Sequence, residues 1–336
     1  MTGVAATLYT VCDARYFLGV VALRNSLAIT NPGVELVVLD RGLTEAQRWR
    51  LEPWCRVVPV DRGVPAHCLK PQALELEPRG VVATIDSDMV VVAPLDDLFA
   101  SAAAGRVVAF EDPHADRWFA EWEGPLALPG PPRRQPYVNA GFVALSAERQ
   151  PELLARWRDA CGRLPARRED GDEWADPFRD RDQDALNAVL MSAYPRGALE
   201  VRPAREAPVM EELRRTRLED PASLRATLRG APVAILHAAG PRKPFRAARI
   251  EWTAYARAMP RVLLAPDVPV RVERGEVPPW LRGSASAAAL GRALGIANDL
   301  GRAALERLPS GLSARAQALG ERLLSRASSS VRGARR

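Results

Sequence analysis

The sequence predicts an α/β fold, a mostly parallel central sheet flanked by helices, followed by a basic helical tail. Three observations predict it. Short continuous apolar runs alternate with segments whose apolar residues recur at helical spacing over the first third of the 336-residue chain. Strands buried on both faces of a parallel sheet read as such unbroken runs, because helices cover both sides. Beyond Pro266 the composition changes, first to proline and then to alanine, leucine and arginine.

The elements follow in order. Ala5 to Cys12 reads as a buried strand and Tyr16 to Thr30 as a helix, ended by the turn Asn31-Pro32-Gly33. Val34 to Leu39 is a second strand, Thr44 to Leu51 a helix, Val57 to Val60 a third strand, Ala66 to Leu76 a helix, and Val81 to Ile85 a fourth strand. After the run Val107 to Phe110, residues 112–136 are rich in Pro, Trp and charge and read as a long loop over the sheet. Tyr137 to Leu145 returns to strand character, Glu148 to Leu164 and Gln183 to Ala193 to helix, with a polar loop at 163–178 between them. Val233 to Leu236 is a late strand, and no internal repeat is evident.

Residues 1–265 thus form one large body. Pro266, Pro269, Pro278 and Pro279 mark a linker over 266–282. In the tail, 283–336, Leu290, Leu294 and Ala297, then Leu312, Ala316, Leu319 and Leu323, recur at helical spacing around a break at Pro309-Ser310-Gly311; Ser328 to Arg336 is expected to be disordered.

Composition excludes several classes. No apolar stretch approaches the roughly 20 residues of a membrane span, and the first ten residues lack the basic start and apolar core of a secretory signal. Cys12, Cys55, Cys68 and Cys161 are scattered without a CxxC pair, as expected of reduced thiols in a cytoplasmic protein. The net charge is +6, and the tail, with nine arginines and three acids, carries all of it. The body is formally neutral, which argues against nucleic acid as a partner. Only two lysines, Lys70 and Lys243, occur among 47 basic residues. In a chain so biased to arginine, a retained ammonium marks a place where a compact charge matters.

Five segments carry chemistry. Ile85-Asp86-Ser87-Asp88 ends the fourth strand. Side chains two apart on an extended chain point the same way, so both carboxylates converge beyond the strand's carboxyl end, where open α/β sheets bind ligands. Hard oxygen ligands there suit Mg²⁺ or Mn²⁺; the competing reading is a solvated turn, which the apolar flanks disfavour. His237-x-x-Gly240-x-x-Lys243 follows the late strand. His237 offers a neutral imidazole to a metal, Gly240 allows close backbone approach to a phosphate, and Lys243 places a point charge on a diphosphate; a structural histidine is the alternative. Tyr137-Val138-Asn139-Ala140-Gly141-Phe142 and Asp182-Gln183-Asp184-Ala185-Leu186-Asn187 are the third and fourth, with Asn139 otherwise a turn residue and Asp182 otherwise a helix cap. Thr10-Val11-Cys12-Asp13 is the fifth, where Asp13 could meet a ribose or base, or cap the helix after Tyr16.

In order and spacing these segments resemble the GT-A glycosyltransferases of family 8, the retaining group that includes glycogenin, galactinol synthase and bacterial lipopolysaccharide galactosyl- and glucosyltransferases. The resemblance runs from about Ala5 to Phe245. It implies a GT-A catalytic domain over 1–265 that transfers a hexose from a nucleotide-sugar donor, with UDP as the nucleotide, to a glycan, lipid-linked or small-molecule acceptor. It implies Mn²⁺ (or Mg²⁺) held by Asp86, Asp88 and His237, with Gly240 and Lys243 on the diphosphate. Val11 and Asp13 then lie near the nucleoside, Ser87 and Asn139 in the donor site, and Asp182 and Gln183 at the reacting face. Three positions depart from the family pattern: Cys68-Leu69-Lys70 stands where Arg-Leu-Lys is common, Phe245 where Trp is common, and Arg15 where Asn is common.

Rival classes fit less well. A nucleotidyltransferase also combines a parallel sheet, two aspartates and a metal, but its glycine- and Arg/Lys-rich loop is missing after the first strand. A glycoside hydrolase would use two carboxylates but has no need of the His-Gly-Lys segment. No G-x-G-x-x-G follows the first strand and no Gly-Lys-Ser/Thr occurs, against a dehydrogenase and a P-loop enzyme. The non-enzymatic rival is a sugar-nucleotide-binding scaffold with a degenerate site. For the tail, packing on the body or on a second subunit competes with peripheral electrostatic contact at the inner face of an anionic membrane. Residues 112–136 and 165–180 are expected to shape the acceptor pocket; Trp118, Trp122 and Trp174 are candidates for sugar stacking or for packing.

Overall fold

The computed structural model describes residues 4–76, 79–166, 175–240, 243–247 and 253–282. The expectations for the 283–336 tail, for Trp174 and for much of the 163–178 loop fall outside these residues.

A seven-stranded sheet forms the centre. Its strands are β1 (Ala6–Cys12), β2 (Glu35–Asp40), β3 (Arg56–Pro59), β4 (Val81–Ile85), β6 (Val107–Glu111), β7 (Val138–Ser146) and β8 (Leu199–Arg202), in the order β3-β2-β1-β4-β7-β6-β8. Strands β1 to β4 are parallel, and β6 is parallel to β8. Strand β7 runs antiparallel to both β4 and β6. An apolar run declares a strand but not its direction, so this reversal was not readable from the sequence.

Side chains alternate between two cores. Leu8, Leu36, Val38, Val81, Ala83, Ile85 and Val108 belong to one cluster, while Tyr9, Val37, Leu39, Val82, Val107 and Ala109 belong to the other. That is the period of two expected of strands buried on both faces. The first face is covered by α1 (Phe17–Thr30), α3 (Asp96–Ala103) and α7 (Ala254–Leu264); the second by α4 (Pro151–Gly162) and α5 (Asp182–Ala193). Helix α2 (Glu45–Leu51) lies between β2 and β3 and starts with a capping box in which Thr44 and Gln47 satisfy each other's backbone N–H.

Smaller elements bear on the site. Strands β5 (Met89–Val91) and β12 (Ile235–His237) pair antiparallel, so the two motif-bearing segments are joined by a ladder placing His237 opposite Met89. A three-stranded meander, β9 (Arg217–Asp220), β10 (Arg225–Leu228) and β11 (Ala231–Pro232), and the short helix α6 (Met210–Arg215) lead into β12. Ala66 to Leu76, expected as one helix, is two 3-10 turns, Ala66–Cys68 and Lys70–Leu76, as suits a stretch interrupted by Pro71.

The 266–282 stretch, expected as a linker, packs on the body. Buried Asn25 donates to the carbonyls of Val262 (2.7 Å) and Val270 (2.8 Å) and accepts from Val270 N (3.0 Å). Arg50 and Glu276 form a bidentate pair, and in α8 (Pro279–Arg282) Trp280 Nε1 donates to Pro244 O at 3.1 Å. Val268, Val270 and Val277 of this stretch are buried in the body. All four cysteines are buried as thiols.

Candidate functional site

Strand β4 ends at Ile85, and its continuation Asp86-Ser87-Asp88 turns into β5 through Met89 N, which donates to Asp86 O at 3.0 Å. Two glycines permit this crowding. A Cβ on Gly19 of α1 would collide with the carbonyl oxygen of Ser87 and come within 2.9 Å of the Phe245 ring. A Cβ on Gly141 of β7 would collide with Met89 Cε and lie 2.8 Å from both Asn139 Oδ1 and His237 Cε1. Helix α1 thus backs directly on the acidic turn, and β7 on the histidine.

Each acid of the turn divides its two oxygens. Asp86 Oδ1 lies 2.7 Å from Lys70 Nζ, and its Oδ2 lies 3.7 Å from His237 Nε2. Asp88 Oδ2 is paired with Lys243 Nζ, and its Oδ1 lies 3.4 Å from His237 Nε2. Asp86, Asp88 and His237 each bring one ligand atom within 4.8 Å of the others. Lys70 also reaches Asp182 Oδ2 at 2.9 Å and Ala140 O at 3.3 Å, and Lys243 donates to Ala238 O at 3.0 Å. The two retained lysines are therefore the two cations of this cluster.

The electrostatics follow from burial and neighbours. Burial opposes the charge of Lys70, but the carboxylates of Asp182 and Asp86 outweigh it and hold the ammonium above the ordinary lysine value. Burial pushes the Asp86 carboxyl up, with Asp88 adding to the effect against Lys70 and His237. For Asp88 burial is overcome by His237 and Lys243, which hold its carboxyl well below the usual range.

A cleft of about 280 Å³ opens over this cluster. Asp86, Asp88, Asn139, Asp182, Gln183, His237, Gly240 and Lys243 all line it, so most of the sequence-predicted residues come together. Gln183 Oε1 accepts from Ala140 N (3.0 Å) while its Nε2 donates to Asp112 Oδ2 (3.1 Å), which also accepts from Asn139 Nδ2 (2.9 Å). Gly240 needs glycine for its φ of +93° and not for space, since a Cβ there would meet nothing within 4 Å.

Val11, Asp13 and Ser87 do not line this cleft. Asp13 Oδ1 instead accepts from Arg15 N (2.8 Å) and Tyr16 N (3.1 Å), closing the turn before α1 without capping the helix, whose N-cap is Tyr16. Ser87 is buried against α1. Asp182 lies in the first turn of α5 after Arg181 and does not cap it. Trp122 is fully buried and donates to Pro177 O at 2.6 Å; Trp118 donates to Pro132 O at 2.9 Å, and neither lines the cleft. Among the cleft residues missing from the sequence-derived set are Lys70 and Asp112. Lys70 carried a signal as one of two lysines; Asp112 follows β6 at its carboxyl end, the position where a ligand-facing residue is expected.

No protein-family model matches this sequence, and no curated protein sequence does. Solved structures do match in fold. The galactosyltransferase LgtC, in complex with donor and acceptor sugar analogues, superposes with a TM-score of 0.51 at 19% identity over 78% of this chain and 98% of its own. WbbM, a bifunctional glycosyltransferase in its apo form, gives 0.52 at 17% identity over 78% of this chain and 50% of its own. An active-site mutant of LgtC gives 0.50 at 19%. The fold is that of the GT-A glycosyltransferases.

Proposed function

We propose that this protein is a divalent-cation-dependent glycosyltransferase that moves a hexose from a UDP-sugar to an acceptor hydroxyl with retention, as a member of the family 8 group. The single observation that carries this reading is the divided use of each acid. One oxygen of Asp86 and one of Asp88 are neutralised by a lysine, and the other two face His237 Nε2. Two carboxylate oxygens and an imidazole nitrogen within 4.8 Å of one another suit a single Mn²⁺ or Mg²⁺ ion. Such an ion would stabilise the negative charge that grows on a departing nucleoside diphosphate.

The chain's own groups supply the rest. Lys243 and the backbone at Gly240 face the diphosphate, where a fixed ammonium stabilises charge most strongly in a site shielded from water. Lys70 couples the donor site to the reacting face, because it holds Asp86 and Asp182 together. Asp182 and Gln183 lie beneath the sugar, and Asn139 and Asp112 orient Gln183. Val11 and Asp13, at the end of β1, are assigned to the nucleoside side, and Ser87 supports the acids from behind. Among the described residues no helix is long and apolar enough to cross a membrane; a cytoplasmic location, with the basic tail 283–336 meeting a lipid surface or a second copy, is part of this proposal.

The test is release of UDP from UDP-hexoses with and without Mn²⁺, in the wild type and in Asp88→Ala. Turnover that requires Mn²⁺ and vanishes in a folded Asp88→Ala supports the reading. Full metal-dependent turnover in that variant rejects the metal site, and nucleotide binding without turnover in the wild type favours the binding-scaffold alternative.

A further inference from the structure

The turn that presents Asp182 and Gln183 is strained. Arg181, immediately before Asp182, has φ +51° and ψ −111°, a region that favours glycine. The turn is closed by Gln183 N donating to Asp180 O at 3.0 Å. A non-glycine residue keeps such a conformation only where its surroundings enforce it.

Arg181 Nη1 donates to Pro165 O at 2.7 Å, and the contacts that fasten the chain on either side of it come from the 112–136 loop. Arg117 grips Asp184 bidentately, Nε to Oδ1 at 2.7 Å and Nη2 to Oδ2 at 3.0 Å, and Nη2 also donates to Asp176 O at 2.6 Å. Asp184 is fully buried, accepts Tyr137 OH at 2.8 Å, and accepts Asp180 N at 2.7 Å. One guanidinium therefore fastens the chain on both sides of Arg181, at Asp176 before it and at Asp184 after it. What lies between is read out directly: Asp182 Oδ2 meets Lys70, Asp182 O accepts Trp157 Nε1 at 2.8 Å, and Gln183 bridges Ala140 and Asp112.

We propose that Arg117 is a positioning residue whose fork on Asp184 holds Arg181 in its glycine-like conformation and thereby aims Asp182 and Gln183 into the cleft. The inference rests on the assignment of Asp182 and Gln183 to the reacting face. It gives the 112–136 loop a role behind the reacting residues, beside any role at the acceptor pocket. Lysine cannot replace the arginine, because an ammonium cannot make two parallel bonds to one carboxylate while also reaching the Asp176 carbonyl.

The test uses the full chain with Arg117→Lys and the double variant Arg117→Lys/Arg181→Gly. Glycine adopts the turn conformation without outside enforcement, so it should restore what the lysine variant loses. Two readouts are followed: kcat and donor KM, and the indole N–H resonance of Trp157, assigned with Trp157→Phe, which reports the Asp182 carbonyl whether or not the protein is an enzyme. Arg117→Lys is expected to lower kcat about a hundredfold, as for a misplacement of about 1 Å, with donor KM changed by less than about threefold. It is also expected to shift the Trp157 resonance, and the double variant should recover both. A wild-type kcat and an unmoved resonance in Arg117→Lys overturn the proposal, as does a loss that Arg181→Gly fails to restore. If the wild type transfers no sugar at all, the functional reading fails, while the resonance and its recovery still decide the role of Arg117.

Discussion

Lys70 Nζ lies 2.7 Å from Asp86 Oδ1 and 2.9 Å from Asp182 Oδ2, so one ammonium joins the acidic turn after β4 to the first turn of α5. Lys70 thus couples the segment that would hold a metal to the segment that would meet the sugar. Replacing it with methionine leaves two largely buried carboxylates uncompensated, and breaking such a pair costs about 3–5 kcal/mol. Lys70→Met is expected to be markedly less stable than wild type in chelator, and to gain more stability from added Mn²⁺ than wild type does. Thermal denaturation with and without Mn²⁺ checks this; an equal gain in both proteins would mean that Asp86 takes no part in metal binding.

Gly141 sets the place of His237. An alanine Cβ there would collide with Met89 Cε and crowd His237 Cε1 at 2.8 Å. Gly141→Ala should cost about 1–3 kcal/mol of stability, in the range of overpacked cores. Mn²⁺ affinity should fall by about tenfold or more, a loss of roughly 1.4 kcal/mol. Calorimetric titration of the metal is the check, and unchanged affinity would place His237 outside the ligand set.

Arg117 and Asp184 give a pH-dependent prediction. Burial pushes the Asp184 carboxyl up to about 6, against the lowering effect of Arg117 and Tyr137. Its folded value therefore lies above the unfolded value of about 3.9. The stability this group contributes is fully present below about pH 4 and is lost as pH rises through 6. Removing Arg117 takes away a lowering influence and raises the folded value further. Arg117→Met should thus be destabilised by about 3–5 kcal/mol at pH 8 and by clearly less at pH 5. Denaturation of both proteins at the two pH values measures this, and a penalty independent of pH would contradict it.

Much of this architecture was legible because the strands are buried on both faces. Ala6–Cys12 and Val81–Ile85 are apolar runs interrupted only by threonine, and the sheet's carboxyl ends locate Asp86 and Asp88. What was not legible has physical reasons. Helix α3 (Asp96–Ala103) buries only Leu98, Phe99 and Ala102, too little for a clear helical period. Helix α7 contains Pro260, which reads as a breaker, yet its Tyr255, Met259, Val262 and Leu263 are buried and packing holds it together. The meander β9 to β11 consists of strands of two to four residues, too short for a readable alternation. In the site, the motif residues His237 and Lys243 were found by spacing. The importance of Lys70 came from its rarity and that of Asp112 only from the fold. Arg117 could not be found, because nothing in the sequence brings it to Asp184.

The proposed nucleotide site is built on Asp86, Asp88, His237 and Lys243. Thermal stability with UDP, GDP, CDP or ADP, each with and without Mn²⁺, on wild type and Asp88→Ala, tests it most directly. At about 100 times Kd a ligand adds roughly 2.7 kcal/mol, so a clear stabilisation of the wild type is expected that requires UDP and Mn²⁺ together and disappears in Asp88→Ala. No stabilisation by any nucleotide, or an equal one in the variant, would contradict it.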